Sequence, residues 1–209
     1  KQKIRCAEII GKTGSKIGGK DFDQWIVDYF IPNKTICAHG SWVKKSEMRT
    51  MAAKAVTLVH CPSSNMKLAC GGTLSLPAYN EAGVDVRLGT DGAASNNSLD
   101  MRAESKAASL VQRHDHWDAS ILDPIETWKL ATKGSTDWIT WNLDDIRMRP
   151  IGRDSRRILA NTIYSGGEVL DVFVGGEALR RDGKTLTIDE SKACKDIEEA
   201  AIDYYSEIN

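Results

Sequence analysis

The chain has 209 residues, 41% of them hydrophobic and 27% charged, a globular composition with enough apolar material for a real core, which argues against a disordered, fibrous or membrane-spanning chain. With 28 Lys+Arg against 29 Asp+Glu the formal charge is -1, so neither nucleic acid nor an anionic membrane surface is expected as a partner. The five cysteines are odd in number and contain no Cys-x-x-Cys pair, which excludes a disulfide framework as the organising principle and points to a reducing, cytoplasmic compartment.

In chain order, residues 1–5 are too polar for a signal peptide and read as part of a polar helix, with the expectation that the chain continues upstream. Over 21–30, Phe22, Trp25, Ile26, Tyr29 and Phe30 recur at helical spacing before the breaker Pro32-Asn33. Thr35-Ile36-Cys37-Ala38 is then a short apolar run ending at His39-Gly40, the pattern of a strand buried on both faces. A helix opening at Ser46-Glu47 leads to a second such run, Val56-Thr57-Leu58-Val59, ending at His60-Cys61-Pro62. A helix over 76–82 stopped by Gly83 leads to a third, Val84-Asp85-Val86-Arg87-Leu88, ending at Gly89-Thr90-Asp91-Gly92. An amphipathic helix over 100–111 follows. Strict alternation of strand and helix implies right-handed crossovers and a parallel sheet, so residues 1–134 read as about three β/α units. Residues 135–209 change character. After a helix over 124–132, the runs 138–141 and 169–174, with the turn dipeptides Gly175-Gly176 and Asp182-Gly183, predict antiparallel hairpins. A terminal helix over 191–206 takes Ser191 as its N-cap.

The chemistry sits at the strand ends. His39, His60 and Asp91 each terminate a predicted parallel strand, and the carboxyl ends of such strands form the face where α/β sheets and barrels do their work. An imidazole and a carboxylate delivered to one face can hold a metal ion or move protons. His114-Asp115-His116 copies a metal-binding spelling but no strand precedes it, so a solvated loop after a helix ending near Arg113 is expected there. Gly11-Lys12-Thr13 lacks the glycine spacing of a phosphate loop. Cys37 and Cys61 read as small apolar residues of buried strands. The six tryptophans read as packing residues, given the neutral charge.

The ordered motifs 38–42 (Ala-His-Gly-Ser-Trp), 59–68 (Val-His-Cys-Pro-Ser-Ser-Asn-Met-Lys-Leu), 88–97 (Leu-Gly-Thr-Asp-Gly-Ala-Ala-Ser-Asn-Asn) and Leu99-Asp100-Met101 resemble the amidohydrolase superfamily. The nearest branch is that of the methylthioadenosine/S-adenosylhomocysteine deaminases and triazine hydrolases. The resemblance is specific over about 35–113 and looser through 144–150 and the Gly176 and Gly183 turns. It implies the C-terminal part of a (β/α)8 barrel followed by a small β-rich flanking segment and a terminal helix. It also implies a metal-dependent hydrolase that deaminates an adenine-type nucleoside or related heterocycle by attack of metal-bound hydroxide. A triazine-type chlorohydrolase or aminohydrolase is the alternative, and a catalytically silent half-barrel that acts only in association is another. One divalent ion is implied, zinc with iron as the alternative; such an ion lowers the pKa of bound water to about 7. Asp91 matches the carboxylate that ligates it and takes the proton, and His39 the histidine that hydrogen-bonds the hydroxide or the developing charge. Asn65 and His60 are the substrate-contact candidates. A small heterocycle and a homo-oligomeric partner complete the expectation.

Three departures from the pattern matter. The family's upstream histidine pair, its further metal-ligating histidine and its proton-donating glutamate precede the strand that His39 ends, and residues 1–34 contain no histidine. A complete barrel takes about 250 residues. The connecting strand pair usual between the positions of Gly134 and Asp137 is nearly absent.

Overall fold

The computed structural model describes residues 34–206 in full, together with the backbone of 6–9, 16–17, 20–21 and 207–208. Of the helix expected over 21–30, Asp21 falls in a short strand and 22–30 lie outside the described residues, as does the Gly11-Lys12-Thr13 turn. In chain order the elements are β1 (Cys6–Ile9), β2 (Lys16–Ile17), β3 (Lys20–Asp21), β4 (Ile36–His39), α1 (Lys45–Ala53), β5 (Thr57–His60), α2 (Pro62–Lys67), α3 (Leu76–Ala82) and β6 (Asp85–Leu88). They continue with α4 (Ala93–Asn96), α5 (Met101–His116), α6 (Pro124–Thr132), β7 (Trp138–Trp141), α7 (Ser155–Tyr164), β8 (Val169–Val174), β9 (Glu177–Arg181), β10 (Lys184–Thr185) and α8 (Glu190–Ile208).

Strands β1, β4, β5 and β6 form one parallel sheet in that order, so three expected parallel strands are joined by a fourth. Cys6–Ile9 pairs with Ile36–His39, a strand that the sequence pattern does not announce because it is short and carries Glu8 at its centre; residues 1–5, read as part of a polar helix, lie outside the described residues. Burial alternates along β4, β5 and β6 rather than covering both faces. Cys37, Leu58, Val86 and Leu88 point into a core shared with Met48, Met51, Leu76 and Tyr79 of α1 and α3, while the opposite face is half-exposed. Asp85 at the start of β6 is bonded there by Thr57, Arg87 and Lys133, the last two placing cations that hold its carboxyl below the usual range against the cost of desolvation. Gly83, in the left-handed region at φ 80°, ends α3 as expected.

The buried face of α5 is unusually polar. Glu104, Ser105, Ser109 and Gln112 are all buried, with Ala108 among them. Gln112 is fully enclosed: its Nε2 donates to the Leu74 carbonyl (2.6 Å) and faces His60 Nε2 (3.4 Å), and its Oε1 accepts the Leu76 N–H (3.1 Å). His60 therefore accepts at Nε2 and carries its hydrogen on Nδ1, which has no partner among the described residues. The adjacent face of α5 holds the second half of the chain. Arg102 donates to Gly167 O (3.1 Å), Lys106 to Tyr164 O (3.0 Å), Ser109 shares a 2.5 Å bond with Tyr164 Oη, and Arg113 stacks over the Tyr164 ring.

That second half is an antiparallel sheet in the order β10-β9-β8-β7, as the hairpin pattern predicts. Two readings need correction. The connection between β7 and β8 contains α7, capped by the Asp154 carboxylate accepting the Arg156 N–H, where only hairpins were expected. The terminal helix starts one residue earlier than predicted, and Asp189, not Ser191, receives the Lys192 N–H. Within the described residues no helix is long and apolar enough to cross a membrane.

Two outcomes follow for stability. Replacing Gln112 by Leu strands the Leu74 carbonyl and the Leu76 N–H in a dry site and is expected to cost about 2–4 kcal/mol in urea unfolding; a loss under about 0.5 kcal/mol would show that those groups find other partners. Burial, helped by His39, drops the His60 pKa from 6.5 to about 4. The unfolded chain then binds more protons than the folded one between these values, so stability is complete above pH 6.5 and falls by about 3 kcal/mol as the pH drops to 4. Denaturation midpoints across this window check it, and the His60→Asn protein is expected to lose that part of the slope.

Candidate active site

The sheet delivers the two principal groups to one edge. His39 is the last residue of β4 and Asp91 stands three residues beyond the end of β6, with β5 between them. Both have left-handed backbone, φ 69° at His39 and 62° at Asp91, a region that His and Asp enter more readily than most side chains and that here turns the chain sharply at each strand end. The turn after His39 needs Gly40, also left-handed at φ 68°. A Cβ there would stand 2.8 Å from Tyr79 Oη and 2.9 Å from Leu58, and the same Tyr79 hydroxyl donates to Gly40 O at 2.6 Å.

The turns set the rings and carboxylate facing one another. His39 Nε2 lies 3.9 Å from Asp91 Oδ2, the histidine nearly buried and the carboxylate side chain 25% exposed. His39 Nδ1 is 2.7 Å from Asn65 Oδ1. With the Asn65 amide placed so that Nδ2 donates to Ser41 Oγ (3.3 Å), its Oδ1 is the accepting end, and the His39 proton is assigned to Nδ1. Nε2 is thereby turned as a lone pair toward Asp91. On the carboxylate, Oδ2 accepts the Ser64 hydroxyl (2.6 Å) and Oδ1 the Gly92 N–H (2.6 Å). The Ser64 bond above all, followed on the same side by Gly92 and Ser95, holds the Asp91 carboxyl below the usual carboxylate range despite some desolvation.

Asn65 and Ser64 are neighbours on α2, a short helix that starts after Cys61 with Pro62 in its first turn. His39, Asp91 and Asn65 thus converge. His60 does not: at 1% exposure it packs against Gln112 beneath α2. Cys61 is buried beside the Asp91 charge, which together push its thiol up to about 12 and make it an inert packing residue. The His114-Asp115-His116 segment is not a loop but the last turn of α5, and His116 bridges the Gln112 carbonyl (2.9 Å) and Ser75 Oγ (3.0 Å). Sequence reasoning missed Ser64, whose signal is its place one residue before Asn65 after a strand-ending His-Cys-Pro.

A carboxylate and an unprotonated imidazole nitrogen are donors of the kind a divalent transition metal takes. They are two, whereas a catalytic zinc site takes three protein ligands and a water, and no group of three or more His, Cys, Asp or Glu that could hold an ion occurs among the described residues. The donor types fit, and the set they form is partial.

The sequence profile of the amidohydrolase family matches residues 7–143. A 5-methylthioadenosine/S-adenosylhomocysteine deaminase of Pyrococcus furiosus is 38% identical over 180 residues, covering 78% of this chain and 42% of its own length. A 5'-deoxyadenosine deaminase of Methanosphaera stadtmanae is 35% identical over 189 residues, 82% of this chain and 43% of the relative. Among solved structures, an adenosine deaminase from Xanthomonas campestris with bound zinc superposes with a TM-score of 0.72 at 25% identity, over 83% of this chain and 46% of that one. An atrazine chlorohydrolase from Arthrobacter aurescens complexed with zinc shares the fold, with a TM-score of 0.68 at 20% identity over 79% of this chain and 40% of that one. The chain spans about two fifths of the length of the curated relatives it matches. On the span of the profile match and the strand-end motifs within it, the chain belongs to the amidohydrolase family.

Proposed function

We propose that this chain carries the Asp91 side of the active site of a metal-dependent hydrolase that deaminates an adenine-type nucleoside or a related amino-substituted nitrogen heterocycle. The observation that carries the reading is the His39/Asp91 pair: two strand-end groups in left-handed backbone, 3.9 Å apart and facing one another. The deaminase names of relatives at 35–38% identity support the substrate class. Since the chain spans only part of those relatives, the remaining metal ligands are assigned to the portion it does not span, and this chain reads as the C-terminal part of the barrel with its flanking sheet.

Asp91 is the residue that would hold the ion, zinc by the neighbours' bound zinc, with iron as the alternative. When bound, a divalent ion supplies a water of lowered pKa, and so a nucleophile at neutral pH. Asp91 stays ionised at that pH, since its hydrogen bonds favour the charged form, and its free oxygen lone pairs can take a proton from the attacking water. His39, with its proton on Nδ1 and its Nε2 lone pair facing Asp91, can accept a hydrogen bond from the nucleophile and orient it. Asn65 fixes that tautomer, and its place at the edge of the pair lets it border the substrate.

In the full-length protein, Asp91→Asn is expected to lower turnover of 5'-substituted adenosines by at least about 100-fold and to reduce bound metal in elemental analysis. His39→Gln is expected to lower turnover by about 10²- to 10⁴-fold with metal content retained. An Asp91→Asn protein that keeps both its metal and its turnover contradicts the assignment. Assaying amino- and chloro-substituted triazines beside the adenosines decides between the deaminase and the triazine reading.

A further inference from the structure

Three consecutive residues at the start of α2 each hold something different. Ser64 donates to Asp91 and Asn65 accepts from His39, so the register of this one turn sets both strand-end groups. The residue before them, Ser63, presents its backbone N–H to Glu104 Oε1 at 2.9 Å. That N–H belongs to the first turn of a helix and has no partner inside it. Glu104 comes from α5 and is 1% exposed. Its other oxygen, Oε2, accepts from Asn96 Nδ2 at 2.9 Å, and the second hydrogen of the same amide goes to the Thr90 carbonyl at 2.7 Å. Thr90 immediately precedes Asp91. One buried carboxylate therefore reaches the pair by two routes, through α2 and through the backbone leading into Asp91.

We propose that Glu104 is the positioning residue of this active site: it locks the α2 turn and the Thr90-Asp91 backbone in one relative register, and so fixes the distance and orientation between His39 and Asp91. Glu104 touches neither group itself. A buried carboxylate on the packed face of a helix is costly, and here both oxygens are satisfied by donors belonging to the two segments that carry the chemistry. A purely structural anchor could have used an apolar side chain at this position, as Ala108 does one helical turn on. The inference rests on the reading of His39 and Asp91 as the reacting pair.

The geometry predicts a matched set of responses. Glu104→Gln keeps its size and one acceptor but turns an amide donor toward the Asn96 amide, so one route breaks while the helix stays packed. Asn96→Ala breaks the same route from the other end without touching α5. In the full-length protein both are expected to lower kcat by about 10- to 100-fold with KM changed less than about threefold, and to be non-additive when combined. The second readout is independent of turnover. In protein labelled with 15N-histidine, the His39 ring signals, assigned by their loss in His39→Gln, are expected to report the Nδ1–H tautomer in the parent and a tautomer mixture in both variants. Folded variants that keep the parent tautomer and the parent kcat overturn the role of Glu104, while a large effect of Asp91→Asn in the same assay leaves the deaminase reading standing. If the parent deaminates none of the heterocycles tested, that reading falls, and the His39 ring signals alone then decide whether Glu104 positions the pair.

Discussion

The site hangs on two residues held in left-handed backbone. A non-glycine residue at positive φ costs of the order of 1–3 kcal/mol and persists only where its surroundings over-determine it. At His39 the surroundings are the Tyr79 hydroxyl on the next carbonyl and the Asn65 amide on the ring; at Asp91 they are Ser64, Gly92 and, through Thr90, Asn96. Both clamps run through the first turn of α2, the helix that follows the middle strand. A parallel sheet makes this possible, because neighbouring strands end on the same edge and the loop after the central one lies within reach of both sides.

The polar burial of α5 follows from the same requirement. A helix packed on a sheet ordinarily turns an apolar stripe to it, yet α5 buries Glu104, Ser105, Ser109 and Gln112. Gln112 closes the backbone leading into α3 and caps His60, Glu104 serves α2 and the Asp91 approach, and Ser109 takes Tyr164 of the second half. The helix thus gives up hydrophobic burial for directional bonds at three places. The core beneath it is supplied instead by α1 and α3 against Cys37, Leu58 and Val86.

Much of this was legible before any coordinates. The runs ending at His39, His60 and Asp91 are β-branched and apolar, their helices carry ordinary breakers, and the alternation alone implies a parallel sheet with His39 and Asp91 on one edge. What escaped has physical causes. The strand at Cys6–Ile9 has no apolar run because backbone pairing with β4 defines it. Pro62-Ser63-Ser64-Asn65 carries turn chemistry, so the short helix it opens leaves no helical pattern in the sequence. The start of α7 does have a signal, Asp154 capping an Arg-Arg-Ile-Leu-Ala run, hidden among the glycines and prolines around it. Glu104 could have been found as the one charge on the buried face that runs through Met101 and Ala108; what it bonds to could not, since Ser63 and Asn96 meet it only through the fold.

Family membership and partial coverage together define what the chain can contribute: a carboxylate, an oriented imidazole and the scaffold that aligns them. The most direct test is a crystal structure of the full-length protein grown with zinc, with anomalous difference maps at the zinc edge. A peak is expected about 2.0–2.2 Å from an Asp91 carboxylate oxygen, with His39 Nε2 in hydrogen-bond reach of the ion's open coordination position. A peak bound elsewhere, with Asp91 still turned to Ser64 and no ion near it, would contradict the metal-ligand role of Asp91.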